Sequence, residues 1–65
     1  MGMDFSDWLD MESGRVSRAA AHFGVTPSAV TQWRTNGVPV NKMLEVRDFT
    51  NGQVTVEEML EARAA

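Results

Sequence analysis

Apolar residues recur along this chain at the three- and four-residue spacing that gathers them on one side of a helix. Phe5, Trp8 and Leu9 form the first stripe and predict a helix over roughly residues 5–11. Asp4 stands at its N-cap, Asp7 suits the positive end of the helix dipole, and Ser13-Gly14 breaks the chain. Val16, Ala19, Ala20 and Phe23 make a second stripe, for a helix from about Arg15 to Phe23 that stops at Gly24. Thr26 reads as the next N-cap. Pro27 follows as the first helical residue, where its missing N–H costs nothing. This third helix runs to about Arg34 and ends in Thr35-Asn36-Gly37. Pro39 opens a fourth, with Val40, Met43 and Leu44 on one face, and Asn51-Gly52 closes it. Thr55 opens a fifth through the capping box Thr55-x-x-Glu58, with Val56, Met59 and Leu60 inside. Gln53-Val54-Thr55 also reads as a short extended segment, but a single strand has no partner here. The pattern predicts an all-α fold, five short helices around one core.

At 65 residues the chain reads as one domain, residues 1–65. A domain of this size buries only about 60% of its unfolded surface, so its stability margin is thin. No cysteine is present to staple it, and one histidine without cysteine leaves none of the usual zinc sites. Nothing implies a metal, a cofactor or a small-molecule ligand. No apolar run approaches the roughly 18–20 residues of a membrane span. The acidic start does not resemble a secretory signal, so a soluble cytoplasmic protein is expected. Met1-Gly2 followed by Ser6 fits a myristoylation pattern formally, but Asp4 and Phe5 within it read better as a helix start.

The net charge of −3 argues against a polyanionic partner until its distribution is followed. Residues 1–12 carry Asp4, Asp7, Asp10 and Glu12 and no base. Residues 13–44 carry Arg15, Arg18, Arg34 and Lys42 and no acid, and acids outnumber bases again from Glu45 onward. A contiguous basic segment between acidic ends suits nucleic acid better than the total suggests.

The second and third helices and their turn, residues 16–35, have helix-turn-helix spacing. Ala20 is small enough for a close helix crossing. Gly24 supplies the positive φ of the turn. Val25, Val30 and Trp33 point inward, and Trp8 and Trp33 read as core rather than as stacking platforms. Ser28, Thr31, Gln32 and Thr35 fall on the outer face of the third helix, all uncharged hydrogen-bonding side chains. An ordinary solvated face carries more Glu and Lys. Gln bridges adenine N6 and N7, and Ser or Thr addresses several bases or a thymine methyl.

The stretch from Ala20 to Trp33, AAHFGVTPSAVTQW, resembles the Cro family of phage repressors and the related YdaS-type regulators. Gly37-Val38-Pro39 and the run from Phe49 to Leu60 resemble the tail of the all-helical members. The resemblance implies a lambda-repressor-like domain that represses transcription from operators bound as a dimer. It implies base contacts from Ser28, Thr31 and Gln32. Pro27 matches a further contact position but offers only apolar contact, and Thr35 joins the set from its place on the outer face. Relatives often carry a phosphate-anchoring Gln where this chain has Val16, so Arg15 or Ser17 is expected to substitute. Arg18, Thr26, Arg34 and Lys42 complete the expected phosphate contacts. The expected partners are a pseudo-palindromic double-stranded operator and a second copy in a weak homodimer, joined through residues after Gly37. Catalysis finds no support, since His22 lacks an evident Ser and Asp partner and reads as an exposed helix residue. The alternatives are an antitoxin-type regulator that also binds a toxin, or an acidic helical module that binds protein without DNA.

Overall fold

Val30, with no solvent exposure, marks where the inner faces of the helices meet. The structure is a computed structural model describing residues 2–64, with only the backbone of Ala64. Its helices are α1 Phe5–Asp10, α2 Arg15–Phe23, α3 Pro27–Asn36, α4 Met43–Phe49 and α5 Val56–Ala64. A 3-10 turn, Val40–Lys42, leads into α4. The protein is all-helical, as its periodicity predicts, and no strand forms among the described residues. No helix among them is long and apolar enough to cross a membrane.

The core takes Phe5, Trp8 and Leu9 from α1, Ala19, Ala20 and Phe23 from α2, and Met43 and Val46 from α4. Val38, Val54 and Met59 close it from the C-terminal half. Phe49 is the aromatic hub, with ring centroids 5.6 Å from Trp8, 5.3 Å from Phe23 and 4.6 Å from His22. His22 is exposed as expected, yet its ring lies over this cluster.

Several boundaries and faces differ from the sequence pattern. Asp4 occupies the N-cap position of α1 without a side-chain capping bond, and Met11 falls just outside the helix as its C-cap. The third helix runs two residues past Arg34, because Gly37, at φ 99°, is the first residue to leave helical geometry. The expected apolar face of Val40, Met43 and Leu44 is corrected: Val40 is 63% and Leu44 59% exposed, whereas Met43 is buried. The physical reason is the 3-10 turn, whose three residues per turn shift the register of the helix after it. Met43, Val46 and Thr50 consequently face inward. Leu60 is likewise 48% exposed rather than internal. The stem of Arg63 packs against Gly37 one turn farther along α5, and a Cβ on Gly37 would lie 2.5 Å from Arg63 Cγ. Gln53–Thr55 forms no strand, though the Met3 N–H donates to Gln53 O at 2.7 Å and ties the N-terminal segment to it.

Thr50 is the buried polar residue that joins α4 to the segment before α5. Its hydroxyl donates to Arg47 O at 3.1 Å and accepts from the Val54 N–H at 3.1 Å. Thr50→Val keeps the shape and leaves that N–H buried without an acceptor. It is expected to cost about 1–3 kcal/mol, read as a lower midpoint in urea unfolding with an unchanged slope. An unchanged midpoint would show that the bond adds nothing net.

Candidate nucleic-acid interface

The orientation of α3 is set by its two ends and its inner face. Thr26 Oγ1 accepts from the Ala29 N–H at 3.2 Å, capping the helix, and Pro27 follows at the first position. Gly24, at φ 67°, ends α2 in the left-handed region, and the Val25 N–H returns to Ala20 O at 3.0 Å. Val30 is buried, and Val25 and Trp33 pack on the core from partly buried positions. The ring of Trp33 meets that of Phe23 edge-on at 5.7 Å.

The opposite side of α3 is left to solvent. Pro27, Ser28, Thr31, Gln32 and Thr35 are all exposed. Thr31 Oγ1 donates to Pro27 O at 3.1 Å, so it offers a partner its acceptor lone pairs and its methyl. Gln32 keeps both an amide donor and a carbonyl acceptor, the pair that matches an adenine edge.

The cationic residues behave less simply than their sequence positions suggest. Arg18 and Ser17 stand exposed on α2, as does Thr26 at the start of α3. Arg15, expected on the outer surface, is instead 12% exposed. Its Nη1 donates to Trp8 O at 2.7 Å, its Nη2 pairs with Glu12 at 3.0 Å, and its guanidinium carbon lies 4.1 Å from the Trp8 ring centroid. Cation–π attraction and the carbonyl at the end of α1 draw it inward. Arg34, expected to contact phosphate, is half-buried. Its Nη2 pairs with Asp10 at 2.7 Å and its Nε donates to Ser6 Oγ at 3.3 Å. Lys42 lies 3.5 Å from Glu45.

Folding therefore undoes much of the charge segregation seen along the chain. Of Arg15, Arg18, Arg34 and Lys42, only Arg18 lacks an acidic partner among the described residues. An open cleft of about 320 Å³ lies where the end of α1 meets the start of α2, and Arg15, Ser17 and Arg34 line it together. Asp10 and Glu12 line it too, whereas Arg18, Thr26 and Lys42 lie outside its lining. Ser6 and Asp10 escape a sequence reading because they lie 28 and 24 residues from Arg34, with no periodicity linking them.

A family model described as DNA-binding transcriptional regulator Cro matches residues 13–64. The chain belongs to the Cro family. No curated protein and no solved structure matches it. As a Cro-family protein it is a DNA-binding transcriptional regulator, and the matched stretch covers α2 to α5. Helix α1, with Asp10 that pairs with Arg34 and the carbonyl that holds Arg15, precedes that stretch.

The two arginines of α2 belong to different parts of this Cro-family molecule, and unfolding measurements separate them. Arg15→Met loses the bond to Trp8 O and the contact with its ring. Part of that loss is offset, since Arg15 Nε is itself buried without a hydrogen-bond partner. The net cost is expected at about 1–2 kcal/mol. Arg18→Ala, on the surface, is expected to change stability by less than about 0.5 kcal/mol. Equal effects in urea unfolding would contradict the assignment.

Proposed function

We propose that this protein is a sequence-specific regulator of the Cro type, a phage or prophage repressor working in the cytoplasm of a bacterial cell. In this reading α3 enters the major groove of double-stranded DNA, and Ser28, Thr31, Gln32 and Thr35 read base edges while Pro27 makes apolar contact. The observation that carries it is the outer face of α3, exposed along its length and free of charge, on a helix held from behind by Val30 and Trp33. Backbone contacts come from Arg18, Ser17 and Thr26, with Arg34 and Lys42 at the flanks. Arg15, held on Trp8, contributes charge rather than a free guanidinium.

One subunit offers few phosphate contacts, so the protein acts as a two-fold dimer on a pseudo-palindromic site. Val40 and Leu44, exposed and four residues apart just beyond α3, support a small apolar contact there. A weak dimer that tightens on DNA fits a patch of this size. The geometry needed is two recognition helices about 34 Å apart, one turn of the duplex.

Selection of bound duplexes from a random pool tests binding and symmetry together. Two half-sites related by a two-fold axis are expected, and recovery of single asymmetric half-sites would contradict the dimer. Salt titrations on the selected site and a scrambled duplex then separate reading from anchoring. Gln32→Ala is expected to cost about 1–3 kcal/mol on the selected site and little on the scrambled one. Arg18→Ala is expected to weaken both alike and to lower the slope of log affinity against log salt by about one per subunit. Equal weakening of both duplexes by Gln32→Ala would remove it from the base readers.

A further inference from the structure

Two arginines line the cleft beside α3, and each is already held by an acid. Arg15 pairs with Glu12 and is further locked onto Trp8. Arg34 is held more loosely. Apart from Asp10 it has only a 3.3 Å bond from Nε to Ser6 Oγ, and its side chain keeps 30% of its surface in solvent. Asp10 is 60% exposed, so its carboxylate sits at the mouth of the cleft rather than inside it.

A carboxylate oxygen 2.7 Å from a guanidinium nitrogen occupies the place a phosphate oxygen takes when Arg grips the DNA backbone. It has the same sign of charge and takes one of the same nitrogens, Nη2. We propose that Asp10 is an internal phosphate mimic, which neutralises Arg34 in the free protein and holds down sequence-independent affinity for DNA. The proposal rests on the reading in which α3 faces DNA.

Two effects compete at this site. An ion pair this exposed is weak, so a phosphate displaces Asp10 readily. The displaced carboxylate nevertheless stays on the last turn of α1, close to the incoming phosphate, and repels it. Removing the charge of Asp10 frees Arg34 and abolishes the repulsion together. Were Asp10 instead a brace that aims Arg34 at phosphate, removing it would weaken binding, so the sign of the effect separates the two roles. Base reading by Gln32 does not pass through this pair. The change therefore falls on every duplex alike.

The test measures affinity for a short duplex of mixed sequence across a salt series, in full-length variants whose melting confirms folding. Asp10→Asn is expected to raise affinity about three- to tenfold at low salt. It is also expected to steepen the salt slope by up to about one unit per subunit. Asp10→Ser, which removes the charge with a smaller side chain, should give the same gain. Asp7→Asn controls for net charge, since it removes a like charge from the same helix and should give a smaller gain. In an Arg34→Ala background the gain from Asp10→Asn should fall to that of the control. A gain equal to the control in the parent, a gain that survives Arg34→Ala, or a loss of affinity would each overturn the proposal. If the parent binds its selected site and Asp10→Asn changes nothing, only this inference fails. If the parent binds no duplex at low salt, the DNA-facing reading of α3 fails and takes the inference with it.

Discussion

The close crossing of α2 over α3 is the constraint on which the rest of the molecule depends. Ala19 and Val30 have no exposed surface and Ala20 almost none, so the two helices meet without room for a larger side chain. Gly24 makes the crossing possible by turning the chain through a left-handed conformation that a Cβ would penalise. Once the inner residues of α3 are committed to that contact, its 3.6-residue period leaves Ser28, Thr31, Gln32 and Thr35 on the far side. The face proposed to meet DNA is thus a geometric consequence of how the core packs.

The second determinant is electrostatic, and it runs against the first impression of a basic stripe. The acids of α1 and its exit fold back onto Arg15 and Arg34, and Glu45 lies beside Lys42. Such pairs on a partly solvated surface add little stability. Their larger effect is on the field the protein presents, which is close to balanced around the cleft; of Arg15, Arg18, Arg34 and Lys42, Arg18 alone lacks an acidic partner among the described residues. In the proposed reading, discrimination comes from the hydrogen-bonding side chains on α3, because a strong cationic surface would hold every sequence alike.

Much of this architecture is legible in the sequence, for local reasons. The stripes of α1 and α2, the stop at Gly24 and the Thr26-Pro27 start of α3 depend on neighbours within a few residues. The Thr55 cap of α5 is of the same kind, with the Glu58 N–H donating to Thr55 Oγ1 at 3.2 Å. What the sequence conceals is non-local or a change of period. The 3-10 turn at Val40–Lys42 moves Leu44 outward, although an unbroken helix from Pro39 reads equally well. Arg63 packs against Gly37, and its guanidinium donates to Val38 O at 3.3 Å, a contact across 25 residues with no periodic signal. Arg15 and Arg34 read as surface cations because their spacing says nothing of Trp8, Ser6 or Asp10. At the candidate interface the exposed, uncharged face of α3 is visible in advance, whereas the state of the flanking charges is not.

The central claim is that α3 presents the surface that meets DNA. The most direct measurement is a two-dimensional amide NMR titration of the labelled protein with its selected duplex. Shift changes are expected to concentrate between Pro27 and Thr35, with a second group around Ser17 and Arg18, while the amides of α5 stay near their free positions. Changes confined to α5, with the amides of α3 unmoved at saturating duplex, would contradict the account.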